Sequence, residues 1–164
     1  MNKQTFLTFL LGRECFAVNV VKVLEVLEKQ YITQVPQAPA HILGIINFRG
    51  DILPVVDTRQ KFNLPSLSIE DKTFIIVYDV SDEANKIIIA ATADAVKDVI
   101  EISDDEIKPV PEMGISYNVK YISGAVRRNE EFILLLDIEK VFSLSDKETI
   151  EALPVTETNE PTIA

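Results

Sequence analysis

The chain has 164 residues, 47% of them hydrophobic, and a formal net charge of −10 at pH 7. This length suits one domain, or two small ones that share a core, and the apolar content is ample for burial. The negative charge argues against nucleic-acid binding, which lysines and arginines drive by displacing counterions, and it is poorly matched to anionic membranes.

The first predicted element is a strand, "TFLTFLL" (5–11), which ends at the turn signal Gly12-Arg13-Glu14. This apolar run is too short for a secretory signal, and no later run approaches the ~20 residues of a membrane span. The single cysteine, Cys15, cannot form an internal disulfide. We therefore expect a buried thiol in a cytoplasmic protein.

The segment "VVKVLEVLE" (20–28) mixes helical spacing with β-branched residues, which predicts a helical turn at 19–22 running into a strand. "PAHIL" (39–43) predicts a short helix with its proline in the first turn. The runs "IINF" and "DILPVVD" then flank Arg49-Gly50, which predicts a tight turn because glycine accepts positive φ. We expect Pro54 at an edge or a bulge, since it has no amide to donate to a ladder.

Four later strands are predicted at 73–80, 86–93, 119–128 and 131–138, the last two paired across Asn129-Glu130. Strands this short and frequent indicate small barrels or sandwiches. Residues 146–164 are polar and proline-punctuated, which predicts a mobile C-terminal tail.

The sequence also contains an internal repeat. Four residues recur at an offset of 80, namely Ile42, Gly44, Asp57 and Phe62 as Ile122, Gly124, Asp137 and Phe142. Further upstream, 32–36 and Val21-Lys22 recur at an offset of 75 as 107–111 and Val96-Lys97, and Thr5-Phe6 recurs at 68 as Thr73-Phe74. Order is preserved, so the pattern predicts an all-β protein of two similar barrels, residues 1–68 and 69–145, with short helices.

Two aspartates, Asp57 and Asp137, each follow an apolar strand, and such a symmetric pair invites comparison with aspartic proteases. That chemistry needs a small residue soon after the aspartate, whereas Asp57-Thr58 is followed by Arg59. The favoured interpretation is that each aspartate caps a short helix. One histidine, one cysteine and five scattered glycines exclude metal sites with several His or Cys ligands and phosphate-binding loops. No catalytic, metal-binding or cofactor-binding residue is predicted.

The stretch "GIINFRGDILPVVDTRQKF" (44–62) resembles the signature segment of the CheW family of chemotaxis coupling proteins. The shared pattern is Gly, an apolar pair, Asn-x-Arg-Gly, and then Pro-apolar-apolar-Asp-x-Arg. The resemblance extends over residues 5–142. Members often have leucine where Phe48 and Thr58 stand, and neither change touches the central Arg-Gly. The motif residues are Gly44, Asn47, Gly50, Pro54 and Asp57.

The resemblance implies a non-catalytic scaffold built of two five-stranded barrels of the Src-homology-3-like type, packed around an apolar seam. Such a scaffold joins the regulatory domain of the histidine kinase CheA to the cytoplasmic tips of chemoreceptors, in two-component signalling arrays at the inner membrane. It is expected to be cytoplasmic and monomeric when free, without cofactor, nucleic-acid partner or membrane insertion.

Carried over by position, the receptor-facing surface consists of Val23, Glu25 and Arg49, with Phe74 and Val99 near the seam. The kinase-facing surfaces are expected on the exposed ends of both barrels. Two alternatives stay open, a CheW-like scaffold of another signalling system and a hydrolase that uses Asp57 and Asp137.

Overall fold

The computed structural model describes residues 2–28, 30–62, 64, 74–110 and 121–142. Its strands are β1 (Lys3–Leu11), β2 (Glu14–Asn19), β3 (Val23–Leu27), β4 (Ile42–Phe48), β5 (Asp51–Val56), β6 (Phe74–Asp79), β7 (Ile88–Ala93), β8 (Ala95–Ser103), β9 (Ile122–Arg128) and β10 (Glu131–Leu136). Two helices of one turn, α1 (Thr58–Lys61) and α2 (Ile138–Val141), follow β5 and β10, and 3₁₀ turns cover Val20–Lys22 and Asp104–Glu106.

Two of the local predictions can be compared directly with these bounds. The helical turn running into a strand near residue 20 is confirmed. The short helix predicted over 39–43 is wrong, because one hydrogen bond from Ile42 N to Pro39 O (2.9 Å) closes a single turn and β4 begins at once. The predicted C-terminal tail, 146–164, lies outside the described residues.

The strands form two five-stranded sheets. Sheet 1 has the order β8-β1-β2-β10-β9, and sheet 2 has the order β3-β6-β7-β5-β4. A mostly β protein with two five-stranded sheets and few short helices is therefore confirmed.

The predicted boundary at residue 68 does not separate the two sheets. The hairpin β1–β2 lies in sheet 1 with β8, β9 and β10, and the hairpin β6–β7 lies in sheet 2 with β3, β4 and β5. Each repeat thus gives its first hairpin to the sheet of the other repeat. The physical reason lies in the connections: only Asp94 separates β7 from β8, and one residue is too short for a hairpin turn, so the chain runs on into the other sheet.

The repeat itself is visible in the strand registers. In β4–β5 the pairing shifts by one residue between Ile42 and Gly44, and β9–β10 has the same irregularity between Ile122 and Gly124. The isolated bridges Thr33↔Ile45 and Lys108↔Ala125 also stand at equivalent places. These pairings support the offset of 80 and the match of 32–36 with 107–111.

Two of the predicted offsets are wrong by one or two residues. The ladders place Phe9 of β1 and Tyr78 of β6 at equivalent positions, an offset of 69 rather than 68. Val96 pairs with Phe9, and Val23 pairs with Tyr78, so these two valines are equivalent at an offset of 73 rather than 75. The slip of two residues keeps every side chain on the same face of a strand, so an apolar pattern cannot detect it. The slip of one residue rests on a match of two residues, Thr5-Phe6 with Thr73-Phe74, which is too short to define the register of a strand.

The apolar side chains form three clusters. One lies within sheet 1 and includes Phe6 and Leu135, and another lies within sheet 2 and includes Val55. The largest cluster fills the seam between the sheets with the aromatic side chains of Phe9, Phe16, Phe62, Tyr78 and Phe142. The apolar residues before Asp57 and Asp137 divide between the clusters, since Val55 and Leu135 face their own sheet's cluster while Val56 and Leu136 face the seam.

Pro54 lies in neither an edge strand nor a bulge, contrary to the prediction. It pairs with Ile45 in β5, and β5 lies between β7 and β4. The proline is accommodated because the ladder from β5 to β7 begins at Val55, one residue later.

Candidate functional site

The Arg49-Gly50 turn joins β4 to β5 as a two-residue hairpin, as predicted. Both residues have positive φ, 54° and 89°, as a type I′ turn requires. The side-chain oxygen of Asn47 accepts a hydrogen bond from Gly50 N at 3.1 Å. These features explain why the motif carries asparagine and glycine around the arginine.

The guanidinium of Arg49 forms an ion pair with the carboxylate of Glu25 and lies over the Phe48 ring, 4.7 Å from its centroid. Glu25 belongs to β3 and Arg49 follows β4, and these strands are the two edges of sheet 2. The pair therefore bridges the sheet edges. The Arg49 side chain remains 68% exposed, so its position is defined while much of it stays accessible to a partner.

Arg49 occupies a backbone conformation that suits other residues better. An L-residue in the left-handed region costs roughly 1–2 kcal/mol, and asparagine and glycine adopt it most readily. The equivalent turn of the second repeat has φ of 52° and 67° and places Asn129 at its first position. An arginine at such a position suggests the hypothesis that its side chain has a function.

The other predicted receptor-facing residues lie on three different strands of the two sheets. Val23 shares β3 with Glu25 and packs, half-buried, against the seam. Phe74 is the first residue of β6 and lies at the end of the β3–β6 ladder that is farther from Val23. It also packs against the seam. Val99 is 62% exposed and belongs to β8, an edge of sheet 1. The structure thus brings Glu25 and Arg49 into contact, and that these five residues form one binding surface stays a prediction.

The aspartates of the motif and its repeat cap their helices, as predicted. Asp57 Oδ1 accepts hydrogen bonds from the backbone N of Arg59 (3.1 Å) and Gln60 (3.4 Å). Asp137 Oδ1 makes the same two bonds at the start of α2, at 3.1 and 3.3 Å. Each carboxylate thus stabilises the first amides of its own helix.

Replacing Asp57 by alanine is expected to lower the free energy of unfolding by about 1–2 kcal/mol, because two helix amides lose their acceptor. Asp57→Asn, which keeps an acceptor oxygen, should cost less than half of that. Urea denaturation of the two variants and the wild type measures this difference. Equal destabilisation by both substitutions would show that the carboxylate charge, rather than the cap, stabilises the fold.

A second ion pair was not predicted. Arg59 Nε donates to Asp94 Oδ1 at 3.0 Å, and a second guanidinium nitrogen contacts Asp94 Oδ2. The same Oδ2 accepts a hydrogen bond from Gly12 N at 2.5 Å. The side chains of Arg59 and Asp94 are only 15% and 18% exposed. The Asp-x-Arg spacing of the motif was visible in the sequence, but nothing there indicated Asp94 as the partner.

The remaining chemical groups of the described residues do not form a second site. Cys15 is buried, as predicted, and burial raises the pKa of its thiol. Within the described ranges, no three His, Cys, Asp or Glu side chains are grouped so that they could hold a metal ion. In that same part of the chain, no helix has the length and apolar character needed to cross a bilayer.

Comparison with known proteins identifies the family. The model of the CheW-like domain matches residues 5–146. The chain belongs to the CheW-like family. The chemotaxis protein CheW of Klebsiella aerogenes is 30% identical over 148 residues, which cover 90% of this chain and 87% of the relative. The corresponding protein of Bacillus subtilis is 29% identical, with 91% of both chains covered.

A further curated relative and a solved structure agree with this placement. Protein FrzA of Myxococcus xanthus is 27% identical, over 90% of this chain and 91% of its own length. The crystal structure of the scaffolding protein TtCheW from Thermoanaerobacter tengcongensis is similar with a TM-score of 0.75 and 26% identity, over 90% and 92% of the two chains. CheW-like proteins are non-catalytic chemotaxis scaffolds, which confirms the prediction that this protein is not an enzyme.

Proposed function

We propose that this CheW-like protein couples the regulatory domain of the histidine kinase CheA to the cytoplasmic tips of chemoreceptors. The scaffold would work in the cytoplasm, in receptor arrays at the inner membrane. The observation that supports this most is Arg49, a largely exposed cation kept in an unfavourable backbone conformation at the centre of the family signature. Such a residue is best explained by a partner that needs its guanidinium.

The receptor-facing surface consists of Val23, Glu25 and Arg49, with Phe74 and Val99 toward the seam. Arg49 presents a planar group with several donors to a carboxylate or carbonyl of the receptor tip. Glu25 holds that group in place from the opposite edge of the same sheet, and the valines supply apolar burial. A surface that consists of these five residues is small, so it gives a moderately weak contact. The many copies in an array strengthen that contact by multivalency.

The kinase-facing surface includes Phe132, at the start of β10 in sheet 1. Its side chain is 65% exposed, although large aromatic side chains are usually buried, and exposed ones favour protein contacts. Phe132 lies in sheet 1, whereas Arg49 and Glu25 lie in sheet 2, and Val99 is the one receptor-facing residue that shares the sheet of Phe132. The proposal therefore requires that the two partners bind at the same time.

A ternary complex tests this proposal. Purified protein is titrated with a receptor tip fragment, with the kinase regulatory domain, and with one partner in the presence of saturating amounts of the other. Both partners should bind, and saturation with the first should not prevent binding of the second. Phe132→Ser should weaken kinase binding and leave receptor binding intact. Mutually exclusive binding of the two partners would contradict a coupling function.

A CheW-like scaffold of another signalling system is a second candidate, because one of the curated relatives, protein FrzA, does not carry the name of a chemotaxis protein. It predicts that fragments of chemoreceptors from the same organism fail to bind while a different kinase regulatory domain does.

A further inference from the structure

Two ion pairs occupy equivalent places in the two repeats, with their charges exchanged. In the first, Arg59 of α1 contacts Asp94, the residue between β7 and β8. In the second, Glu139 of α2 contacts Lys22, the last residue before β3, with 2.7 Å between Nζ and Oε2. Arg59 and Glu139 are related by the offset of 80. Their partners, Asp94 and Lys22, each lie in the connection that follows an exchanged hairpin.

Both connections are the points at which the chain passes from one sheet to the other. The chain leaves sheet 1 after β2 and enters sheet 2 at β3, and it returns from β7 to β8. The helix α2 follows β10 of sheet 1, so the Lys22–Glu139 pair ties the first crossing to the sheet that the chain is leaving.

The two pairs differ in burial. The side chains of Arg59 and Asp94 are 15% and 18% exposed, whereas those of Lys22 and Glu139 are each 37% exposed. A half-exposed pair contributes little to overall stability, so its location is the more informative property. Lys22 directly precedes β3, the edge strand that carries Val23 and Glu25.

Strand β3 lies at an edge of sheet 2. In its sheet it has one neighbour, β6, and the ladder between them is interrupted by a bulge between Val23 and Glu25. Glu25 in turn holds the guanidinium of Arg49. A small displacement at the start of β3 would therefore move the carboxylate that positions Arg49.

We propose that Lys22 and Glu139 are positioning residues for the receptor-facing surface. Their ion pair fixes the start of β3 against α2, so that Glu25 presents Arg49 correctly, and Glu139 itself does not touch the receptor. This inference rests on the proposed function, because it assumes that Glu25 and Arg49 bind a receptor tip.

The test compares three variants with the wild type: Lys22→Gln, Glu139→Gln and the double variant. Each single change should weaken binding of the receptor fragment about two- to fivefold, the range that half-exposed ion pairs support. The double variant should be weakened by less than the sum of the two single effects, because both substitutions remove the contact between Lys22 and Glu139. Kinase binding and the midpoint of unfolding should stay at the wild-type values.

A rescue and a control sharpen the comparison. The charge exchange Lys22→Glu with Glu139→Lys should restore receptor affinity, and the difference between wild type and Glu139→Gln should shrink as salt is raised. The control is Glu106→Gln, which breaks the pair with Arg128 in sheet 1. Its side chains are 35% and 34% exposed, and it should leave receptor affinity unchanged.

The outcomes separate this inference from the proposed function. Wild-type protein that fails to bind the receptor fragment would contradict the proposed function, and this inference with it. If the wild type binds but Glu139→Gln binds equally well, the positioning role is wrong, whatever Lys22→Gln does. Equal losses of receptor and kinase binding would also overturn it, because they indicate a general structural defect.

Discussion

Replacing Gly44 by alanine is expected to lower the free energy of unfolding by about 3–5 kcal/mol, because a backbone segment occupies the space that the new methyl group needs. A Cβ at this position would collide with the carbonyl oxygen of Thr33 and lie 2.8 Å from Ile32 Cγ2. That carbonyl accepts a hydrogen bond from Ile45 N at 2.8 Å, so the segment cannot retreat without losing the bridge to β4.

Gly124→Ala is the matched control, since Gly124 occupies the same place in the second repeat. There the Cβ would lie 2.5 Å from a side-chain atom, Ile107 Cγ2, and 3.1 Å from Lys108 O. A side chain adjusts more easily than a backbone, so the expected cost is about 1–3 kcal/mol. Urea denaturation measures the loss of unfolding free energy in both variants, and the m-values should equal that of the wild type. If Gly44→Ala lowered the free energy of unfolding no more than Gly124→Ala does, that result would contradict the close approach of the Thr33 backbone to Gly44.

Removing the carboxylate of Asp94 is expected to cost about 2–4 kcal/mol, because the largely buried Arg59 guanidinium loses both of its contacts with that carboxylate and Gly12 N loses its side-chain acceptor. The lower part of this range allows for the 15–18% exposure of the two side chains. The substitution to use is Asp94→Ala.

The double variant Asp94→Ala with Arg59→Met separates a lost pair from a lost side chain. Methionine fills much of the space of the arginine stem without leaving a buried charge, so the double variant should be more stable than the sum of the single effects by more than about 1 kcal/mol. The midpoint of thermal or urea unfolding gives all three values. Strict additivity would mean that Arg59 and Asp94 do not stabilise each other.

Much of the local structure could be predicted because it depends on short-range chemistry. The Arg49-Gly50 turn and the Asp57 cap follow from residues whose backbone preferences are strong. The repeat was visible because Gly44 and Gly124 mark the same close approach in each copy.

The exchange of hairpins between sheets could not be predicted from apolar alternation, since a strand shows the same pattern in either sheet. One signal was present, because no turn-forming residue separates "IIIAATA" from "AVKDVI" except Asp94. The Arg59–Asp94 pair depends on that exchange, so its two residues, 35 positions apart, gave no sign of contact in the sequence.

The most direct test of the coupling function is the variant Arg49→Asn, titrated against both partners. Asparagine is the residue that the second repeat uses at this turn, Asn129, and it adopts the left-handed conformation readily. The relief of backbone strain should offset the lost exposed pair with Glu25, so the free energy of unfolding should change by less than about 1 kcal/mol. Folding is thereby separated from the loss of the guanidinium.

Receptor binding by Arg49→Asn should weaken by about 1–3 kcal/mol, roughly 5- to 150-fold in Kd, because the hydrogen bonds of a charged group are lost. Binding of the kinase regulatory domain, on the surface that includes Phe132, should match the wild type. Two results would contradict the coupling function through Arg49. One is unchanged receptor affinity in a folded Arg49→Asn protein, and the other is an equal loss of affinity for receptor and kinase.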